Sequence, residues 1–301
     1  MSTYVRPSSI DEAITCLERE RGEARVIAGG TDVMPDLRKG NIAPCCLVDI
    51  TGIAELQRIE VDSRWVTVGA AVTFASLRQH AFLREHVHAL VDAAGSVGAS
   101  AIQNAATWVG NIVQAMPAAD GAIVALALQA EVRVVTSNGA TWRAVDTLFA
   151  GPGLSRIDSC REIITHVRFA RPQPGMGSAW QRIGRRRALV LPILNCAVCI
   201  HLDASPGAKT GARDRGRKIG DVAIALGPVA PRPFRARRAE VALRGNTATS
   251  EIMEQAAAIA RDEAQPRTSM MRASREYRLD ILPTLVSQAL ETAVMRASDS
   301  A

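Results

Sequence analysis

The chain has 301 residues, 48% of them hydrophobic and 4% aromatic, with 36 Lys and Arg against 30 Asp and Glu for a formal net charge of +6. This content builds a real core, excludes a disordered tail and suits two domains at this length. The longest apolar run, 122–130 with Gln129 inside it, is too short for a membrane span, and the first residues carry no apolar signal core, so a cytoplasmic protein without a membrane span is expected.

Residues 8–21 pattern as an amphipathic helix, with Ser9 and Glu12 fitting a capping box and Ile10, Ala13, Ile14 and Leu17 forming one stripe. The β-branched run Arg25-Val26-Ile27 then leads into Ala28-Gly29-Gly30-Thr31-Asp32 and a helix-compatible segment from Val33 to Lys39. Paired glycines between a strand and a helix start let backbone N–H groups meet an anion with no Cβ in the way, although a plain tight turn uses the same residues. The spacing is not G-x-G-x-x-G and no strand-final acid follows, which argues against a dinucleotide-binding Rossmann unit. A strand at Leu47-Val48-Asp49-Ile50 completes a first lobe, residues 1–55.

A second lobe spans 56–170. Leu56 to Val61 and Trp65 to Val68 alternate as a hairpin, Thr73 suits the N-cap of a helix from Phe74 to Gln79, and Leu83 to Ala94 carries another apolar helical stripe. His86 and His88 fall in that stretch, where i and i+2 share no face, so no metal site is expected. A second glycine-bearing turn, Thr107-Trp108-Val109-Gly110-Asn111, offers hydroxyl and amide groups; with the first loop it would clamp a pyrophosphate from both sides. A buried helix at 122–130, a hairpin turning at Asn138-Gly139 and a strand from Ile163 to Phe169 follow.

Arg171-Pro172-Gln173-Pro174-Gly175-Met176-Gly177 breaks regular structure and reads as a linker, 171–177. In 178–297, strands near 179–183, 195–202 and 220–226 precede helical patterns at 237–243, 250–264 and 274–297, an α+β domain with a three-stranded sheet plus helices. Six cysteines (16, 45, 46, 160, 196, 199) show no framework spacing; Cys196 and Cys199 lie on an apolar strand, where odd spacing sends them to opposite faces of the core. Basic clusters occur at Arg182, Arg185, Arg186 and Arg187 and at Lys209, Arg213, Arg215, Arg217 and Lys218. With few aromatics and no nucleic-acid motif, they suit a solvated loop or an acidic protein partner, and no nucleic acid is expected.

Ala28 to Asp32, Gly69-Ala70-Ala71-Val72-Thr73, Ile102-Gln103-Asn104 leading into Thr107 to Asn111, and Pro117-Ala118-Ala119-Asp120 resemble, in order and spacing, the flavin-binding subunit of the molybdenum hydroxylases. That family includes bacterial xanthine dehydrogenases, to whose flavin subunits the likeness is greatest, carbon monoxide dehydrogenases and 4-hydroxybenzoyl-CoA reductases. The likeness continues through Arg182-Ile183-Gly184-Arg185-Arg186, Gly227 to Pro233 and Arg272 to Arg278, nearly the full length. It implies an α+β fold: a two-lobed FAD-binding domain of the vanillyl-alcohol-oxidase/PCMH type, then the smaller C-terminal domain. It implies FAD in this chain, with molybdopterin on a large partner subunit and [2Fe–2S] clusters on a small one, in a dimer of heterotrimers that passes electrons to NAD or another acceptor.

By the same resemblance Val26, Ile27, Ala28, Gly29, Gly30, Thr31, Asp32 and Val33 form the first phosphate loop and Thr107, Trp108, Val109, Gly110 and Asn111 the second. Val97 and Gly98 lie near the flavin, Asp120 accepts from ribityl or ribose hydroxyls, and Ile164 covers an apolar face. Arg182 stands where the family commonly has Lys and supplies a cation from the second domain. No residue is expected to act as a proton-transfer catalyst, because the flavin carries the redox chemistry. Two departures stand out: Val109 replaces the first glycine of Thr-x-Gly-Gly-Asn, and Trp108 is bulkier than the usual aliphatic residue. They leave a scaffolding subunit that has lost flavin as a second reading, and an independent flavin oxidase as a third. Only Ile112 to Ala119 separate Asn111 from Asp120, with no Cys among them, so no iron–sulfur insertion of the kind some reductases carry is expected.

Overall fold

A computed structural model describes residues 2–186, 189–203 and 216–300. Arg187, Lys209, Arg213 and Arg215 of the basic clusters lie outside the described residues. The first lobe consists of β1 (Thr3–Val5), α1 (Ile10–Arg19), β2 (Ala24–Ile27), α2 (Val33–Lys39) and β3 (Cys46–Asp49), with a parallel sheet in the order β1-β3-β2. The Glu12 N–H donates to Ser9 Oγ at 3.1 Å, while the Glu12 carboxylate accepts from the Ser8 N–H at 2.7 Å, one residue before the partner a capping box would use. The stripe of Ile10, Ala13, Ile14 and Leu17 is buried against the core.

The second lobe starts with β4 (Ile59–Val61) and β5 (Trp65–Gly69), then α3 (Phe74–Gln79), capped by Thr73 as expected. The stripe from Leu83 to Ala94 is real, but it spans two helices, α4 (Ala81–His86) and α5 (His88–Ser96), which meet at Val87 with φ −130° and ψ 56°. The periodicity survives because Leu83, Val87, Leu90 and Ala94 all face one core. Next come α6 (Ser100–Ala105), α7 (Trp108–Val113) and α8 (Asp120–Ala127). Strands β6 (Glu131–Thr136) and β7 (Gly139–Ala144) form the expected hairpin one residue out of step. Thr136 pairs with Gly139, so Ser137 and Asn138 make the turn. A small ribbon of β8 (Phe149–Gly151) and β9 (Leu154–Ser155) precedes β10 (Ile163–Ala170), the middle of an antiparallel sheet in the order β4-β5-β10-β6-β7.

The C-terminal sheet comprises β11 (Met176–Ile183), β12 (Leu194–Leu202), β13 (Ile219–Gly227) and a two-residue fourth strand, β14 (Phe234–Arg235), beyond the three expected. Helices α9 (Arg237–Leu243), α10 (Ser250–Glu263) and α11 (Arg275–Asp299) follow. Strand alternation gives this sheet two buried faces. Cys196, Val198 and Ile200 pack toward the C-terminal helices, whereas Ala197 and Cys199 join the core of the first two lobes, so the two thiols diverge as their spacing predicts. All eight residues of α8 are buried because that helix lies between the second lobe and β12–β13. Gly227 permits the close approach, since a Cβ there would lie 2.5 Å from the Pro117 carbonyl oxygen.

Candidate functional site

Between the two N-terminal lobes lies a cleft of about 330 Å³, walled by the turn after β2, the start of α7 and β10, with Leu191 closing it from the C-terminal domain. That volume is at the low end of the ~300–1,000 Å³ usual for small-molecule sites, so a ligand larger than it would leave part of its surface in solvent.

The first loop is an open cradle. Strand β2 ends at Ile27, Gly30 takes φ +69°, and α2 starts at Val33. Among the described residues, the backbone N–H groups from Gly29 to Val33 have no protein acceptor; the first bonded one, Met34 N–H, donates to the Gly30 carbonyl at 3.0 Å. Consecutive free N–H groups at a helix start form an anion-binding concavity. The need for glycine at 29 has a different cause from the one expected. A Cβ there would lie 1.9 Å from the Ala105 carbonyl oxygen, so Gly29 lets the first loop seat directly on the end of α6.

The second loop is not a glycine turn but the first turn of α7. Thr107 is its N-cap, accepting from the Gly110 N–H at 3.1 Å; the Asn111 N–H donates to the Thr107 carbonyl at 3.1 Å and the Trp108 N–H to Val72 at 3.3 Å. Val109 sits inside this helix without positive φ, so its β-branch meets no left-handed backbone demand. Asn111 lines the cleft, but its Oδ1 is buried on the α8 side without a hydrogen-bond partner, where a Cβ at Gly121 would lie 2.6 Å from it.

Of the residues predicted from sequence, Val26, Ala28, Gly29, Gly30, Thr31, Asp32, Val33, Val97, Thr107, Val109, Gly110, Asn111 and Ile164 line this one cleft. Five do not. Ile27 points into the core, and Gly98, at φ +51°, makes a turn against Ile102. Trp108 is fully buried edge-on to Phe169, its indole N–H donating to the Gly121 carbonyl at 2.8 Å. Asp120 and Arg182 pair at the domain junction instead: Arg182 Nε lies 3.6 Å from Asp120 Oδ2, and Asn195 Nδ2 donates to Asp120 Oδ1 at 2.6 Å. Arg182 also donates to the Val190 carbonyl, which holds the segment carrying Leu191. Burial pushes the Asp120 carboxyl up to about 6, against the pull of Arg182 and of hydrogen bonds from Asn195 and Ser96.

Arg25, Ile50, Ala70, Ile157, Glu162 and Leu191 also line the cleft and were not anticipated. Arg25 carried a local signal, being on the strand that enters the loop. Ala70 belongs to the Gly69–Thr73 run that carries part of the resemblance, and the others come from distant segments with no motif of their own. Buried Gln103 supports the wall: its Nε2 donates to the Gly95 and Val97 carbonyls at 3.0 and 2.8 Å, and its Oε1 accepts from Arg78 at 2.7 Å.

Residues 1–172 match the family model described as FAD binding domain in molybdopterin dehydrogenase, and 180–293 match CO dehydrogenase flavoprotein C-terminal domain. The chain is 28% identical over 298 residues to the xanthine dehydrogenase FAD-binding subunit of Escherichia coli O157:H7, covering 98% of this chain and 97% of the relative. It is 30% identical over 254 residues to the nicotinate dehydrogenase FAD-subunit of Eubacterium barkeri, covering 83% and 82%. The solved carbon monoxide dehydrogenase from Hydrogenophaga pseudoflava contains a similar chain, with a TM-score of 0.87 at 26% identity and 98% coverage of both.

Proposed function

The chain belongs to the FAD-binding medium subunits of the xanthine dehydrogenase and carbon monoxide dehydrogenase family, and from that premise we propose that it passes electrons from a partner's [2Fe–2S] clusters to NAD or another acceptor. The substrate is oxidised on a molybdopterin-bearing large subunit, in a cytoplasmic dimer of heterotrimers. No helix among the described residues is long and apolar enough to cross a membrane.

The observation that carries this reading is the run of unpaired N–H groups from Gly29 to Val33 on the cleft wall. They bind the pyrophosphate, while Val97, Val109 and Ile164 supply an apolar wall and Asn111 stands at the cleft beside them. Bound there, FAD supplies the one- and two-electron chemistry that these side chains lack. The separately purified chain should contain stoichiometric FAD and no iron. Absence of flavin supports the scaffolding reading, and about four irons with acid-labile sulfide would mark a cluster-bearing type.

A further inference from the structure

A second feature lies outside the cleft and shares a surface with it. Ser269 N–H donates to the Ala273 carbonyl at 2.9 Å, closing a turn with Met270, Met271 and Arg272 at its tip. Met270 is 103% and Met271 81% exposed, so neither side chain packs on its own protein. Arg185 Nη1 donates to the Met271 carbonyl at 2.9 Å, and exposed Leu189 and Leu191 come a few residues later in the chain. Both stand at the cleft: Leu189 N–H donates to the Gly98 carbonyl at 3.2 Å, and Leu191 is part of the wall.

Charge is uncompensated here. Between Gln265 and Leu279 stand four arginines and a single glutamate. Among the described residues, Arg185, Arg267, Arg272 and Arg275 have no carboxylate within ion-pair distance, whereas Arg235 and Arg296, elsewhere in this domain, do. Arg272 is held below the usual guanidinium range by burial and by Arg267 beside it. A protruding tip encloses no small molecule, so a free dinucleotide finds no pocket on it. Two flexible thioethers ringed by unpaired guanidinium groups instead suit a concave apolar spot edged with carboxylates.

We infer that the Met270–Met271 turn, with Arg185, Arg267, Arg272 and Arg275, docks an acidic protein that delivers electrons at the mouth of the cleft, namely the iron–sulfur subunit. This rests on the reading of the chain as a flavin electron-transfer subunit.

The test uses the tagged full-length chain purified with its partners from the cells that make the complex, reading iron and acid-labile sulfide per FAD. Two double variants, Met270→Asp with Met271→Asp and Arg272→Glu with Arg275→Glu, should each lower iron per FAD about tenfold while FAD per chain stays constant. Arg84→Glu, an exposed change of the same sign on α4, should leave both ratios alone. If a double variant loses FAD through misfolding, Arg272→Gln with Arg275→Gln should still flatten the salt dependence of iron retention. Unchanged iron per FAD in the double variants overturns the docking surface alone; so does a raised KM for NAD with iron unchanged, which would assign the patch to the acceptor. A wild-type chain that carries FAD but never an iron-bearing polypeptide overturns the electron-transfer reading, and this inference with it.

Discussion

The two loops that face each other across the cleft look alike in sequence, each with a glycine, a threonine and an amide or acid, yet they spend their backbone donors differently. From Gly29 to Val33 the N–H groups are unpaired, whereas at 107–111 the donors of Trp108, Gly110 and Asn111 are engaged by Val72 and by Thr107. The first loop therefore offers an anion a run of consecutive donors, whereas in the second, among the described residues, only the separated Thr107 and Val109 N–H groups are left without an acceptor. A glycine lost from the second loop removes nothing an anion needs. Val109 departs from the family pattern at the position where departure is cheapest.

The largest way to break this contrast is at Gly29. In Gly29→Ala the new Cβ would sit 1.9 Å from the Ala105 carbonyl oxygen, so the first loop must leave its seat on α6. FAD retention should be abolished, as measured by flavin absorbance per purified chain; retention near the wild-type level would show that seating is not required. Gly30→Ala should do less. Its Cβ would meet only the side chains of Ile27 and Met34 at 3.2 Å, and the strain of φ +69° is about 1–2 kcal/mol, roughly a tenfold effect on the dissociation constant. Equal losses at both positions would mean that proximity to Ala105 is not what separates them.

Asp120 sharpens the contrast from the side, since it anchors the cleft wall without lining it. Its carboxyl binds a proton more tightly when folded than when unfolded, with a folded value of about 6 against an ordinary 3.8. Over that window the folded state holds the extra proton, so this group's contribution to stability falls as pH rises from about 4 to 6. Two units correspond to about 3 kcal/mol as an upper bound. Asp120→Asn should remove that slope from chemical denaturation curves, and an unchanged pH profile would mean that the carboxyl titrates normally. Flavin content should fall only as far as the Leu191 segment loosens.

The first loop was legible because the signals that mark it are local, a β-branched strand, two glycines and a helix start in nine residues, whereas its seat on Ala105 was not. Val97 and Ile164 came from resemblance, not from any local pattern. Leu191 and Ile50 were invisible because the chain brings them to the cleft from two distant segments. Periodicity found the stripe from Leu83 to Ala94 but could not see the break at Val87, since both helices keep the same face inward. The sequence assigns Asp120 and Arg182 separate roles toward the cofactor and carries no signal that the two meet each other across the domains. Their mutual attraction, with Asn195 filling a further position, satisfies them at the junction and leaves them off the cleft lining.

Asn111 should give a smaller effect. Asn111 lines the cleft, so Asn111→Ala should cost the proposed site at most one side-chain hydrogen bond and weaken binding by about 0.5–1.5 kcal/mol, roughly two- to tenfold. An unchanged dissociation constant would remove Asn111 from the site.

The smallest effect on flavin is expected at Val109, and it tests the contrast most sharply because intuition from the family pattern points the other way. Val109→Gly restores the familiar pair of glycines. If the second loop bound phosphate through a flexible backbone, that change would tighten FAD. In this structure position 109 lies within α7 without positive φ, its side chain is 5% exposed and packs in the core, and the Gly110 and Asn111 donors beside it are already engaged by Thr107. Glycine there gains no conformation the loop uses. It forfeits about 1.5–3 kcal/mol of buried valine and about 1 kcal/mol of helix propensity. The variant should melt several degrees lower yet bind FAD within about threefold of wild type when measured well below its melting temperature. Tenfold tighter binding would make the second loop the anion site after all and reverse the assignment of the two.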